Sequence, residues 1–463
     1  MLLRYFYDEK LAHASYMVGC QATGEAIIID PSRNITPYLE AAKKEGVRIT
    51  GAAETHIHAD FVSGGRELAK RGATLYVSDE GGPDWQYQNL ESYSHRLLKD
   101  KDRFAIGNLV FEVMHTPGHT PESISFLLTD RGADTPMGIF SGDFVFVGDV
   151  GRPDLLEKAA GYQGTADQGA RDMFRSLQKF KQLPDYLQLW PAHGAGSACG
   201  KALGAVPSST VGYEKRFNWA LAYTDEEEFV QALLDGQPEP PKYFAVMKHV
   251  NKVGIDLLED VTDPTELTTE ELEKALARGE MVIDTRAAGK FAKKHIEGTI
   301  NIPFNRSFTN WAGWFVNYEE PIHLLVSEGQ LNDVLIALRS IGIDKVKGYM
   351  DVERALASSQ SIESYEEITP KEAAAKVEAG EVTLIDVRNQ TEWDEGHIPQ
   401  ANHMMLGTLL DRYNEIPKDR PVIVQCRSGA RSAIGASILQ AKGIKKIYNL
   451  TGGFNRWSKE VPH

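Results

Sequence analysis

Hydrophobic residues fall along the chain in short runs, and the clearest repeated pattern lies in the C-terminal half. LTTEELEKALARGEMVIDTRAAGKFAKKHIEGTINIP from Leu267 returns as ITPKEAAAKVEAGEVTLIDVRNQTEWDEGHIPQANHM from Ile368, and Asp386 stands 102 residues after Asp284. In each copy, apolar residues three and four apart predict a helix, and the β-branched run behind them predicts a strand. A second apolar run, IHLLV from Ile322 or VIVQ from Val422, predicts another strand before a helical stretch and a Gly-Ile pair. Each copy therefore reads as a small α/β unit. The part before them lacks the repeat: EAIIID, LVFEVMH, SISFLL and GIFSGD predict strands among polar-faced helices and Gly-rich turns. Pro238, Pro240 and Pro241 interrupt its last helical stretch, and Asp263-Pro264 marks a linker. Domains are expected at 1–260, 264–356 and 362–463.

Composition agrees with three packed domains. A chain of 463 residues divides into about three at the usual domain size, and 42% apolar with 25% charged residues excludes a largely disordered chain. Fifty basic against 65 acidic residues leave a formal charge of −15, which disfavours nucleic acid and anionic membrane as partners. Neither a spanning apolar stretch nor a signal-peptide run is visible. Three scattered cysteines make no disulfide framework, so a cytoplasmic protein with reduced thiols is expected.

Histidines change the picture. ETHIHADFVSG sets His56, His58 and Asp60 two apart after a predicted strand, MHTPGHT places His115 and His119 around a turn, IFSGD ends on Asp143, and PAHGAGSACG supplies His193. Strand ends are rigid mounts for metal ligands. In order, these segments resemble the metallo-β-lactamase superfamily pattern of HxHxDH, a His in a TPGHT turn, an Asp in a GD pair and a late His. The resemblance covers about the first 200 residues and implies an αβ/βα sandwich with a metal at its edge. Phe61 replaces the last His of HxHxDH, so the second metal position of the two-metal hydrolases is expected to fail. A mononuclear centre of His56, His119 and Asp143 remains, the donor set of non-haem Fe(II) oxygenases; zinc on His56, His58 and His119 is the competing assignment.

The mononuclear branch that this resembles is the persulfide dioxygenases, which oxidise a thiol persulfide with O₂ to sulfite. GDVGRPDL from Gly148 matches that branch, and the resemblance implies that Arg152 contacts the carboxylate of the thiol carrier. His58, Asp60 and His193 would then orient the ligands instead of binding the metal, and His115 would be structural. Cys199, in a small flexible stretch after His193, is a second thiol able to carry sulfur, while Cys20 reads as structural.

VIVQCRSGARS runs from a strand into a loop that opens a helix, where backbone N–H groups converge on Cys426 and Arg427 and Arg431 add positive charge. Cysteine phosphatases use C-x5-R; the tighter C-x4-R here suits a single transferred sulfur atom. With DVR at Asp386–Arg388, Glu392, GHI at Gly396–Ile398 and GGFNRW at Gly452–Trp457, this last domain resembles the rhodanese sulfurtransferases. The first copy carries Ser327-Glu328-Gly329-Gln330-Leu331 in the loop, two residues shorter when counted from Ser327, and reads as an inactive rhodanese-like domain.

The expected class is therefore α/β: a metallo-β-lactamase αβ/βα sandwich followed by two rhodanese-like α/β domains. The resemblance implies one Fe(II) per chain, a small thiol persulfide, O₂ and sulfite or thiosulfate as reactants, and Cys426 as the sulfur carrier; a homo-oligomer is expected. A zinc thioester hydrolase of glyoxalase II type and a non-enzymatic sulfur carrier are the rival readings.

Overall fold

The computed structural model describes residues 1–160, 164–201 and 203–461. They divide into two units, Met1–Val261 together with Arg339–Gly342, and Thr262–Leu338 with Ile343 onwards. Among the described residues no helix is long and apolar enough to cross a membrane.

The first unit holds two six-stranded sheets. One runs in chain order through Leu2–Asp8, His13–Cys20, Glu25–Ile29, Arg48–Ala53, Thr74–Ser78 and His95–Leu98, antiparallel at first and parallel from Glu25–Ile29 onward. The other lines up Ser209–Thr210, Gln188–Pro191, Gly138–Gly142, Ile124–Asp130, Leu109–His115 and Arg103–Ile106. Strand alternation explains the burial. Ile27 and Ile29 face the layer between the sheets with Phe111, Phe126 and Phe140, while Ala26 and Ile28 face Tyr38, Leu68 and Leu75 on the helix side. Within EAIIID the four residues from Ala26 to Ile29 are all apolar because both faces of the strand are covered. The helix Thr165–Phe180 closes the other sheet with Met173, Leu177 and Phe180, which gives the αβ/βα sandwich.

The second unit contains the repeat as two all-parallel five-stranded sheets with the same strand order. The first runs Thr265–Glu266, Val346–Asp351, Ile322–Val326, Met281–Asp284, Ile300–Asn301; the second runs Glu366–Ile368, Ile447–Leu450, Val422–Gln425, Thr383–Asp386, Asn402–His403. Both opening helices, Thr269–Ala277 and Pro370–Glu378, start on a reciprocal cap, Thr268 with Glu271 and Thr369 with Glu372. The register corrects one expectation. Asp284 pairs with Leu325 and Asp386 with Gln425, so Val326, not Ser327, occupies the place of Cys426. Counted from there to the Gly-Ile pair, the first copy is shorter by one residue and not two.

Candidate metal centre and sulfur-transfer loop

Four connections meet at one edge of the sandwich, each at the end of a strand. Arg48–Ala53 leads to His56, His58 and Asp60, Leu109–His115 to His119, Gly138–Gly142 to Asp143, and Gln188–Pro191 to His193. The Ile124 N–H donates to the Thr55 carbonyl at 2.8 Å, and the Ala192 N–H to the Gly142 carbonyl at 3.1 Å, so the loops are sewn together. Gly142, at φ +54°, turns the chain into Asp143, and a Cβ there would strike the Thr55 side chain.

His56, His119 and Asp143 are buried with their ligand atoms converging. His119 Nε2 lies 3.4 Å and His56 Nε2 3.9 Å from Asp143 Oδ2. The other nitrogen of each ring fixes the tautomer. His119 Nδ1 is 2.9 Å from the Arg152 carbonyl oxygen, which can only accept, so Nδ1 donates. His56 Nδ1 is 3.0 Å from Thr55 Oγ1, whose own proton goes to Asp30 Oδ2 at 2.9 Å. Each Nε2 therefore presents a lone pair to the carboxylate. Burial holds both imidazoles below the ordinary histidine pKa, which keeps those lone pairs free. His56 Nε2 and both Asp143 oxygens lack a hydrogen-bond partner. Buried acceptors left without donors cost about 1–3 kcal/mol each, and a cation at their meeting point satisfies them together. The residues fit a metal ion.

His58 turns aside. Its Nε2 is 3.1 Å from Asp30 Oδ1. Burial opposes a charge on this ring, but Asp30 outweighs it and lifts the pKa to about 9. His58 belongs to neither converging group among the described residues, so the zinc set of His56, His58 and His119 is not assembled. Phe61 fills the space between the His13 and His58 rings, at centroid distances of 3.9 and 4.4 Å. Asn251, 190 residues further along, donates to the Phe61 carbonyl at 2.7 Å and to that of His58 at 2.8 Å. Asp60, His193 and Cys199 form a second converging group. Burial pushes the Cys199 thiol up to about 12, and Asp143 and Asp60 push in the same direction.

Arg152, the expected contact of the thiol carrier, lies beside His119. It is fully buried: Nε and Nη2 each donate to Asp154 at 2.7 Å, Nη2 also reaches the Pro238 carbonyl, and Nη1 has no hydrogen-bond partner among the described residues. Its backbone is what touches the centre, the carbonyl holding His119 Nδ1 and the N–H donating to the Cys199 carbonyl at 3.0 Å. A cavity of about 180 Å³ opens beside His119, walled by Trp85, Pro121, Pro153, Thr165, Gln168 and Asp172. His115 Nε2 donates to the Pro121 carbonyl at 2.9 Å, a structural position.

Cys426 follows its strand into the loop as expected, and its Sγ accepts from the Gly429 N–H at 3.1 Å and the Ser432 hydroxyl at 3.4 Å. The helix Ala430–Ala441 begins immediately after, so its dipole end faces the sulfur. The two arginines divide. Arg431 is held bidentate by Glu392 at 2.6 and 2.7 Å, whereas Arg427 is exposed. GGFNRW closes over the loop: the Phe454 N–H donates to the Cys426 carbonyl at 2.7 Å and the Asn455 N–H to that of Arg427 at 3.1 Å. Gly453, at φ +55°, is required because a Cβ would overlap the Cys426 carbonyl.

The metallo-beta-lactamase superfamily model matches residues 9–193, and the rhodanese-like domain model matches 369–460. A crystal structure of a metallo-beta-lactamase from Staphylococcus aureus subsp. aureus COL is 45% identical with a TM-score of 0.69, covering 76% of this chain and 99% of that one. The chain belongs to the metallo-β-lactamase superfamily. It joins that domain to a C-terminal rhodanese-like domain. Among curated members of the superfamily, the mitochondrial persulfide dioxygenase ETHE1 of Bos taurus is 27% identical over 239 residues, 50% of this chain and 80% of that protein. The hydroxyacylglutathione hydrolase of Actinobacillus pleuropneumoniae serotype 3 is 28% identical over 179 residues, 39% of this chain and 65% of that protein. The metal-binding fold and the candidate ligands are thus those of an enzyme family in which more than one reaction occurs.

Proposed function

We propose that the N-terminal domain is a non-haem iron persulfide dioxygenase, converting a small thiol persulfide and O₂ to sulfite. In this reading the C-terminal domain moves sulfur through Cys426 to or from thiosulfate, as sulfide detoxification requires. The observation that carries the reading is the convergence of two imidazole lone pairs and one carboxylate, His56, His119 and Asp143, with no donor between them. Bound there, ferrous iron supplies redox chemistry with O₂ at the positions that three protein ligands leave open. The chain does the rest. Thr55 and the Arg152 carbonyl orient the two rings, and the cavity beside His119 admits a substrate tail to the buried ligands.

In the last domain, the Cys426 thiolate attacks the outer sulfur of a persulfide. The S–S bond breaks, the carrier leaves as its thiolate, and the Gly429 N–H steadies the charge on the receiving sulfur. Sulfite then takes the outer sulfur, which forms thiosulfate and restores the Cys426 thiolate. Similarity to the persulfide dioxygenase over 80% of that protein's length supports the first step, and the rhodanese-like match supports the second.

Asp143→Ala tests the assignment. Metal analysis of anaerobically purified protein is expected to show most of the iron gone, and an oxygen electrode no persulfide-dependent uptake; normal iron content would overturn the ligand set. The hydrolase similarity favours one competing reading, a thioester hydrolase fused to a sulfurtransferase. Thioester hydrolysis without O₂ uptake would establish it.

A further inference from the structure

We propose that the first copy selects the sulfur donor of the second: its Phe304 and Trp311 wall a cavity beside the Cys426 loop that takes the uncharged, amide-bearing arm of an organic persulfide. The inference rests on sulfur transfer through Cys426 and adds the class of donor. The cavity holds about 280 Å³. Ala288, Phe304 and Trp311 of the first copy line it on one side, and Ala430, Arg431 and Ile434 of the second on the other. Ala430 directly follows Gly429, whose N–H holds the Cys426 sulfur, so the cavity begins one residue beyond that contact.

The first copy's wall is fixed in place. The Asn301 N–H donates to Ser437 Oγ of the second copy at 3.0 Å, and the Phe304 N–H to the Thr285 carbonyl at 2.9 Å. Phe304 meets Phe308 edge-on at a centroid distance of 5.2 Å, and Trp311 stacks with Phe315 at 5.9 Å. Trp314, on the same helix Phe308–Phe315, presses on Gly407 of the second copy, where a Cβ would meet its ring at 2.5 Å. Fixed, half-buried aromatic rings offer flat faces on which methylenes and amide planes pack. Charge decides the class of ligand. Arg431 is the charged residue among the walls, and Glu392 already holds its guanidinium bidentate. Burial opposes charge on Arg431, but Glu392 outweighs it and Cys426 adds to it, so the cation is committed to the loop. A carboxylate or phosphate entering the cavity would lose water without gaining a cation, whereas a neutral arm loses little. Sulfite and thiosulfate are charged and far smaller than the space, which approaches the size of small-molecule sites at about 300 Å³ and above.

Two donors separate the arm from the sulfur. The full-length protein is assayed under argon, with cyanide as the common acceptor and Cys426→Ser as the background. Pantetheine persulfide brings a neutral amide arm, and thiosulfate brings none. Trp311→Ala is expected to lower the ratio of kcat/KM for pantetheine persulfide to that for thiosulfate by about tenfold, through KM. Ala288→Leu fills the cavity from another helix, Ala288–Lys293, and is expected to lower the same ratio, so it decides the matter even if Trp311→Ala fails to fold. A ratio that stays the same in both variants overturns the proposal. So does a lower KM in the parent for glutathione persulfide, whose arm is charged at both ends, than for pantetheine persulfide. Calorimetry with S-methylpantetheine, which has the arm but no transferable sulfur, reads the cavity apart from the reaction. One equivalent is expected to bind the parent and to be lost in Trp311→Ala. Retention of that equivalent in the variant overturns the proposal; its loss, with no transfer from either donor in the parent, would strike the Cys426 reading and not the cavity.

Discussion

The two repeat copies share a frame and differ at the loop that carries Cys426. Asp284 and Arg286 in the first make the same buried fork as Asp386 and Arg388 in the second, with closest contacts of 2.6 and 2.7 Å. Each arginine also caps a carbonyl eight residues on, Lys294 or Gly396, and each copy stacks a histidine on an aromatic ring, His295 on Phe291 and His397 on Trp393. The loop differs. Val326 stands for Cys426, and Lys290 stands where Glu392 braces Arg431. The fork therefore stabilises the sheet and its turn in both copies, while the Cys426 loop adds the Glu392–Arg431 brace.

The largest way to erase the difference is Cys426→Ser. A hydroxyl cannot accept a sulfane sulfur, so thiosulfate formation should fall by about 10³-fold or more while persulfide-dependent O₂ uptake stays near the parent's rate. Thiol-trapping chromatography of sulfite and thiosulfate reads both; enzymatic thiosulfate from the variant would mean that another thiol carries sulfur. Breaking the shared fork comes next. Arg388→Ala and Arg286→Ala each strand a buried aspartate and should destabilise their own copy by about 3–5 kcal/mol, measured by hydrogen exchange in each sheet. Only the Arg388 variant should lose transfer from thiosulfate, and a loss from Arg286→Ala would show that the first copy takes part in the chemistry itself.

The brace gives a smaller effect. Burial works against charge on Glu392, but Arg431 outweighs it and holds the carboxyl below its ordinary value. Its contribution is complete above the ordinary glutamate pKa of about 4.3 and drains away as the pH falls through the lowered one. Glu392→Gln should slow transfer by about tenfold at neutral pH and remove that acid limb from the pH profile; an unchanged profile would make the brace irrelevant to rate. Smallest are the caps. Thr268→Ala and Thr369→Ala should each cost about 1 kcal/mol, equally in the two copies, and leave transfer unchanged.

What could be read from the sequence was carried by side-chain type. His56, His119 and Asp143 sit where the strand-end segments put them, Cys426 opens its helix, and the repeat reappears as two sheets of one order. What could not be read was carried by backbone or by distant partners. The Arg152 carbonyl and N–H act through groups that every residue possesses, so no side-chain pattern announces them. Asn251 reaches Phe61 from a helix whose polar residues look alike in sequence. The Val326 register depends on strand pairing, which a count from the first polar loop residue misses by one.

The helix behind Cys426 carries one more lesson. Ser432 to Gln440 are nine consecutive buried residues, with small Ser, Ala and Gly among them, and Ser437 Oγ accepts from the Asn301 N–H of the first copy at 3.0 Å. A helix covered all round cannot be freed by cutting the chain between the copies without wetting one of its sides. The first copy in this sense helps to cover the interior of the second. That gives evolution a reason to retain a copy with Val326 in the place of Cys426, and a reason why its surface against this helix would change more slowly than its loop.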